Sequence, residues 1–328
     1  MKKILSLLLI LALATGIMVG CSNEKNTNSV PKTDVDNKTN ETNETGNENV
    51  AKEIILTHAK GEIKLDDVAK KVVVFDMGIL DTIDVIAPEL ELAVPTSNIP
   101  SSLSKYEKAT SAGTLFEPDM EAIFNFEPDL IIIGGRQADY YNELSKIAPT
   151  IYVELNADTY MEDFKLNTTN VAKALGKEDE AKSYIDGIDK EIENIKALAK
   201  KSDKNALIIM TNDGKISAYG KGSRFGLIHD VLEITTADDT IEVSNHGQEA
   251  SYEYIAQVNP DVLFVVDRTV IAGGTAKASD TLNNDLVNGI NANKNDKIVY
   301  LDPEAWYLAS GGINTLNLML SEVKSVLE

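Results

Sequence analysis

An α/β protein of two lobes joined by one long helix is the expected fold, and three observations predict it. From Lys71 onward, short β-branched runs alternate with helix-patterned stretches, which argues for mostly parallel sheets covered on both faces. A sixteen-residue unit occurs twice, EAIFNFEPDLIIIGGR at 121–136 and EYIAQVNPDVLFVVDR at 253–268, with a constant offset of 132. Between the copies lies KEDEAKSYIDGIDKEIENIKALAKK, 177–201, a long amphipathic stretch. One α/β unit on either side of such a stretch describes two Rossmann-like lobes with a rigid helical connection.

The chain begins MKKILSLLLILALATGIMVGC: two lysines, an apolar run and small residues before a cysteine, the pattern of a secretory signal over 1–20. The run from Ile4 to Val19 is short for a spanning helix, which needs about 20 residues. Cys21 is the only cysteine, so no intrachain disulfide can form. It stands where a bacterial lipoprotein signal places the residue to be lipidated, although Met18 departs from the Leu commoner there. An ordinary signal peptide with an incidental cysteine, or a short membrane anchor, is the plainer alternative. Residues 21–52 are rich in Asn, Thr and Glu and almost free of apolar side chains. Such a segment cannot bury enough surface to fold and is expected to be a disordered tether.

The folded part is expected from Glu53, as an N-terminal lobe over 53–176, a linking helix over 177–201 and a C-terminal lobe over 202–328. In the first lobe KVVVF (71–75), LIII (130–133) and TIYV (150–153) read as buried strands, and 79–87, 119–126 and 138–147 as helices. The linking segment repeats Ala181, Tyr184, Ile185, Ile188, Ile192, Ile195 and Leu198 at helical spacing. At about 1.5 Å per residue it would be roughly 37 Å long. In the second lobe ALIIM (206–210), VLFVV (262–266) and KIVYL (297–301) read as strands. Helices are expected near 224–233, 252–258, 279–287 and 312–327.

Within the repeat, Asp119 and Ser251 are matched N-cap residues. Met120, Ile123 and Phe124 match Tyr252, Ile255 and Ala256 as one helix face, and Pro128-Asp129 and Pro260-Asp261 turn the chain into the strand. Arg136 and Arg268 then fall just past the strand ends, where open α/β sheets place ligand sites. A single arginine is usually a solvated charge; the matched pair suggests a cleft that grips an anion. Glu121 and Glu253 sit in the first helical turn, where the helix dipole alone explains a carboxylate. Their pairing across the lobes admits a second role, as docking charges facing a partner.

Arg224, in AYGKGSRFGLIHD, is either a mobile loop residue or a third cleft cation; GKGS is no phosphate loop, lacking the earlier glycine. His58, in a probable edge strand, and His229, within a helix, read as structural. His246 lies in a polar loop before the repeated helix, free to ligate metal or bond a ligand. Tyr307, in DPEAWYLASGG, follows the last strand on the cleft side, and its phenol could bond or ligate. Trp306 beside it reads as core or pocket wall and counts among the candidate ligand-binding residues.

The 328 residues, 43% of them hydrophobic, suffice for two cores. A formal net charge of −21, more acidic still once Lys2 and Lys3 leave with the signal, repels nucleic acid and anionic membranes. No G-x-S-x-G, no H-E-x-x-H and no G-x-G-x-x-G after a strand is present, and three dispersed histidines are too few for a zinc carrier. Enzyme chemistry is therefore not expected.

The runs KKVVVFDMGILDTID, EPDLIIIGGRQ, SKIAPTIYV, MTNDGKISAYGKGSRFGLIHD, NHGQEASYEYI, NPDVLFVVDR and IVYLDPEAWYLASGG carry a resemblance across nearly all of 53–328. The chain resembles the cluster A (class III) siderophore-binding lipoproteins of ABC importers, and among them the petrobactin- and catecholate-siderophore-binding proteins of Gram-positive bacteria. The resemblance implies the class III periplasmic-binding-protein fold, with lobes that close only modestly. It implies no permanent cofactor, Fe(III) being carried as a siderophore complex. Carried over, Arg136, Arg224 and Arg268 would surround a ferric catecholate. His246 and Tyr307 would complete the iron shell when the siderophore supplies only four donors, and Glu121 and Glu253 would dock on permease arginines. The implied partners are an ABC permease with its ATPase and, through a palmitate-bearing Cys21, the outer face of the cell membrane; a monomer is expected. The alternatives are a haem or cobalamin receptor of the same fold, which needs an apolar slot, and a siderophore hydrolase, which would release product.

Overall fold

In a computed structural model that describes residues 53–244 and 246–328, the chain opens with an antiparallel hairpin of β1 (Ile54–His58) and β2 (Gly61–Leu65). The expected signal over 1–20, Cys21 and the tether over 21–52 lie outside the described residues. Alternation then begins: β3 (Lys71–Val74), α1 (Met77–Ile86), β4 (Glu91–Val94), β5 (Thr110–Ser111), α2 (Met120–Phe126), β6 (Leu130–Ile133), α3 (Tyr141–Leu144) and β7 (Thr150–Tyr152). The five strands of this first sheet run parallel in the order β5-β4-β3-β6-β7.

Two helices follow, α4 (Tyr160–Leu175) and α5 (Glu178–Ala199). The second half holds β8 (Asn205–Asn212), β9 (Lys215–Tyr219), β10 (Thr235–Thr236), β11 (Gln248–Glu249), α6 (Tyr252–Val258), β12 (Val262–Asp267) and α7 (Arg268–Ala272). Short helices α8 (Ala278–Thr281), α9 (Asp285–Asn288) and α10 (Asn291–Lys294) lead to β13 (Ile298–Leu301) and α11 (Ile313–Lys324). Here β8, β12, β13 and β10 pair in parallel, while β9 and β11 add antiparallel pairs at one edge. The architecture is thus two α/β lobes, each built on its own sheet.

The repeat folds as a repeat. Asp119 caps α2 by accepting the Ala122 N–H at 3.0 Å, and Ser251 caps α6 by accepting that of Tyr254 at 3.2 Å. Both helices end on a left-handed residue, Glu127 and Asn259. Asp129 then accepts the N–H groups of Lys70 and Lys71 at the start of β3, and Asp261 accepts that of Asn205 at the start of β8. Each Pro-Asp thus fixes the neighbouring central strand.

Several expectations need correction. Phe124 is not on the inward face: Ile123 and Phe126 are buried, and Phe124 is 66% exposed. The helix expected over 138–147 shrinks to a 3-10 stretch, Gly135–Tyr140, and the single turn of α3, after which the Ile147 and Ala148 N–H groups both turn back to the Leu144 carbonyl. The one over 279–287 divides in two, since Asn284 caps α9 through the Leu286 and Val287 N–H groups. That over 224–233 is a single π turn, Leu227–Val231, stopped by left-handed Glu233.

The lobes are fused rather than merely linked. One hydrophobic cluster runs from Val72, Leu80 and Phe164 through Ile188 and Ile192 of α5 to Phe264, Trp306 and Leu316. Caps also cross between the halves. Asp81 of α1, 1% exposed, accepts the Asn314 and Thr315 N–H groups at 2.7 and 3.2 Å, anchoring the first turn of α11. In return Glu304 accepts the backbone N–H and hydroxyl of Ser101, at the start of a 3-10 helix of the first lobe, at 2.8 and 2.6 Å. Gly312 permits the approach, for a Cβ there would collide with the Asp81 carboxylate. Asp81→Ala leaves two buried donors unpaired and should cost about 2 kcal/mol, and Gly312→Ala should lower stability in the same direction. Equilibrium urea unfolding measures both; wild-type stability in each variant would show the cross-lobe cap to be dispensable.

Candidate functional site

Residues at or beyond the ends of β3, β6, β7, β9 and β13 line a cleft of about 310 Å³, among them Asp76, Arg136, Tyr152, Arg224, Tyr307 and Gly311; Arg268, after β12, is not in the lining and joins it through Tyr307. Arg136 reaches it because Gly134-Gly135 turn the chain sharply out of β6. Arg268 is the first residue of α7, set there by its neighbour Asp267, which accepts the Thr269 N–H at 3.0 Å. Arg224 follows Gly222, whose φ of 65° belongs to the left-handed region glycine favours. Tyr307 lies in a π turn, Glu304–Leu308, directly after β13.

All three arginines meet at Tyr307. Its backbone oxygen accepts from Arg136 Nη2 at 3.3 Å and from Arg224 Nη2 at 3.4 Å, and its hydroxyl accepts from Arg268 Nε at 2.8 Å. The Arg224 Cζ lies 4.1 Å from the centroid of the Tyr307 ring, a cation–π contact. Arg224 Nε is buried without a partner. Burial pushes the Arg224 guanidinium down from its usual value. Burial pushes the Tyr307 phenol up, but the Arg268 hydrogen bond and the charges of Arg224 and Arg268 outweigh it, and the phenol sits below the ordinary tyrosine range. The cleft is thus strongly cationic on one wall.

Asp76, which the sequence reading missed, borders the same space. It caps α1 through the Ile79 N–H at 3.0 Å, and burial outweighs that bond and the Arg136 charge to hold its carboxyl above the usual range. Its signal was visible only as an N-cap aspartate at the end of KVVVF. Behind the arginines Tyr219, Phe225 and Trp306 pack in sequence, the first pair edge to face and the second tilted, with ring centroids 4.8 and 6.3 Å apart.

Trp306, expected at the site, is 1% exposed, donates its indole N–H to Glu322 at 2.7 Å and lies in the core behind the cleft, not in its lining. His246 is exposed and, like Arg268, is not among the residues lining the cleft. Among the described residues no group of three or more His, Cys, Asp or Glu side chains could hold a metal ion. His58 and His229 are buried; His58 Nδ1 accepts the Tyr152 N–H at 3.1 Å, and His229 Nδ1 bonds the Ile234 carbonyl at 2.9 Å. Glu121 and Glu253 are exposed at matching places on α2 and α6.

The fold and this cationic cleft define a binding protein: the chain belongs to the periplasmic binding protein family, whose model matches residues 72–305. It is 41% identical over 326 residues, 98% of each chain, to the petrobactin-binding protein YclQ of Bacillus subtilis. The crystal structure of that protein superposes with a TM-score of 0.81 at 44% identity, covering 84% of this chain and 99% of the other. The catecholate-siderophore binding protein VctP of Vibrio cholerae gives a TM-score of 0.78 at 35% identity over 83% and 99%. The iron uptake ABC transporter substrate-binding protein PiuA of Streptococcus pneumoniae gives 0.79 at 35% over 82% and 97%. These relatives are binding proteins, which supports the expectation that the chain is not an enzyme, and their common fold is the expected class III one.

The phenol of Tyr307, held below its usual range, should ionise before those of Tyr106, Tyr160 and Tyr254, which burial holds well above theirs. Alkaline spectrophotometric titration should show an early step that Tyr307→Phe abolishes. Because the folded value lies below the unfolded one, this group's stabilisation is complete above the unfolded value and is lost as pH falls through the folded one. An unchanged first step in the variant would assign it elsewhere.

Proposed function

We propose that the chain is the substrate-binding lipoprotein of an ABC importer, and that it captures a ferric catecholate siderophore of the petrobactin type between its lobes. One observation carries the reading: Arg136, Arg224 and Arg268 all hydrogen-bond one residue, Tyr307, two through its carbonyl and one through its hydroxyl. Three doubly charged catecholates around one ferric ion leave a triply negative complex, which needs cations close by. One charge pair at about 4 Å contributes roughly 4 kcal/mol at an effective dielectric near 20, before desolvation. Guanidinium forks also hydrogen-bond catecholate oxygens. The remaining acidic surface is screened beyond about 8 Å. The names of YclQ and VctP support the same ligand class.

Fe(III) enters this reading as cargo inside the siderophore, with no resident cofactor. Tyr307 supplies the two protein oxygens that the arginines bond. Cys21 would carry the lipid, with 21–52 as the tether to an extracytoplasmic membrane face. The lobes would be 53–176 and 202–328 joined by the helix within 177–201. Delivery would go to a permease through Glu121 and Glu253.

Arg136→Ala, Arg224→Ala and Arg268→Ala should each weaken ferric tris-catecholate binding roughly thirtyfold, the lower end of what removing one member of a buried charge pair costs. Intrinsic-fluorescence titration against ferric catecholates, ferric hydroxamates, haem and cobalamin reads this. Wild-type affinity in all three variants, or preference for haem or cobalamin, would overturn the ligand class.

Glu121→Arg with Glu253→Arg should leave that affinity intact and impair uptake by whole cells, since reversed charges repel a cationic docking surface. Normal uptake by the double variant would reduce both residues to helix-dipole partners.

A further inference from the structure

The three arginines come from distant segments, after β6, after β9 and at the start of α7, yet each is tied to the same residue. Like charges brought together in a partly buried cleft repel, so they need an acceptor among them to keep their places. Tyr307 supplies two. Its carbonyl, at the end of the π turn, takes Arg136 and Arg224; the Gly312 N–H that follows is engaged with Ala309 instead, at 3.1 Å. Its hydroxyl takes Arg268, and its ring lies under Arg224. Arg136 makes its bond from the first lobe and the other two from the second, so this residue also aligns the cationic groups of the two lobes.

We infer that Tyr307 is the positioning residue of the cleft: its carbonyl, ring and hydroxyl hold the three guanidiniums in register for a polyanionic ligand. The inference rests on the proposed function and adds to it a residue that acts through the arginines. Arg268 bonds the phenol oxygen through Nε, which leaves its two terminal nitrogens free to face an anion. Among the described residues the Arg268 side chain is otherwise held only by the Tyr307 ring, 5.4 Å from its Cζ.

The test uses the whole chain and the iron(III) complex of a hexadentate tris-catecholamide, in which no iron position is open to a protein oxygen. Tyr307→Phe keeps ring and carbonyl and deletes only the hydroxyl; it should bind about tenfold more weakly, the scale of one lost hydrogen bond to a charged group. Arg268→Lys keeps the charge without the Nε–H and should lose a similar amount. The double variant Tyr307→Phe with Arg268→Ala should bind about as well as Arg268→Ala alone, because the hydrogen bond that the hydroxyl accepts comes from that arginine. A general structural defect would not produce such coupling. Wild-type binding by Tyr307→Phe alongside weak binding by Arg268→Ala would overturn the inference and leave the ligand class standing, as would losses that multiply in the double variant. Wild-type binding by all three arginine-to-alanine variants would overturn the ligand class itself, and this role with it.

Discussion

The Asp81 carboxylate against the first turn of α11 is the contact on which the arrangement of the two halves depends. A helix N-terminus buried in a core needs acceptors for its N–H groups, and here they come from the opposite lobe. Burial raises the Asp81 carboxyl above its usual range despite these bonds, so the anchor carries a desolvation cost that its two donors offset in part. Glu304 returns the service to the 3-10 helix at Ser101, and the Tyr160 hydroxyl donates to the Ser310 carbonyl. Those three crossings surround the turn that bears Tyr307. The cleft floor is therefore part of the seam between the lobes, and a large hinge rotation would break caps and core together.

A site built on such a seam can be stiff. Phe225, Trp306 and Tyr219 are all about 1% exposed and packed beneath the cationic wall, which limits how far the arginines can settle when an anion arrives. Preorganised cations lose less on binding than mobile ones. Asp76 works in the other direction. Its carboxyl caps α1 at the edge of an anion cleft, held above its usual range by burial although Arg136 lies beside it.

Much of this was legible in the sequence because the chain states it twice. The offset of 132 located the matched caps Asp119 and Ser251, the strand clamps Asp129 and Asp261, and Arg136 and Arg268 at the ends of β6 and β12. What was not legible depends on the third dimension. The sixteen residues of α4 carry Asn167-Thr168-Thr169-Asn170 at their centre, poor helix formers whose placement is decided by packing on α5 and β1. Phe124 points outward because the packing face of α2 passes through Ile123 and Phe126. Trp306 and Tyr307 are neighbours with opposite fates, one in the core and one in the cleft, which no spacing rule separates within a π turn. That the Tyr307 carbonyl accepts from both Arg136 and Arg224 has no side-chain signature at all.

The π turn at Glu304–Leu308 gives the arrangement a discrete, all-or-none character. A π turn holds one residue more than an α turn, and successive residues of a helix are rotated by about 100°. Shortening this turn by one residue would swing the Tyr307 carbonyl away from Arg136 and Arg224 and carry the hydroxyl off Arg268 in the same movement. The cleft cannot lose its arginines gradually along this coordinate. Insertions or deletions here would be expected to separate family members into those with a gathered cationic wall and those without one, whatever their overall similarity.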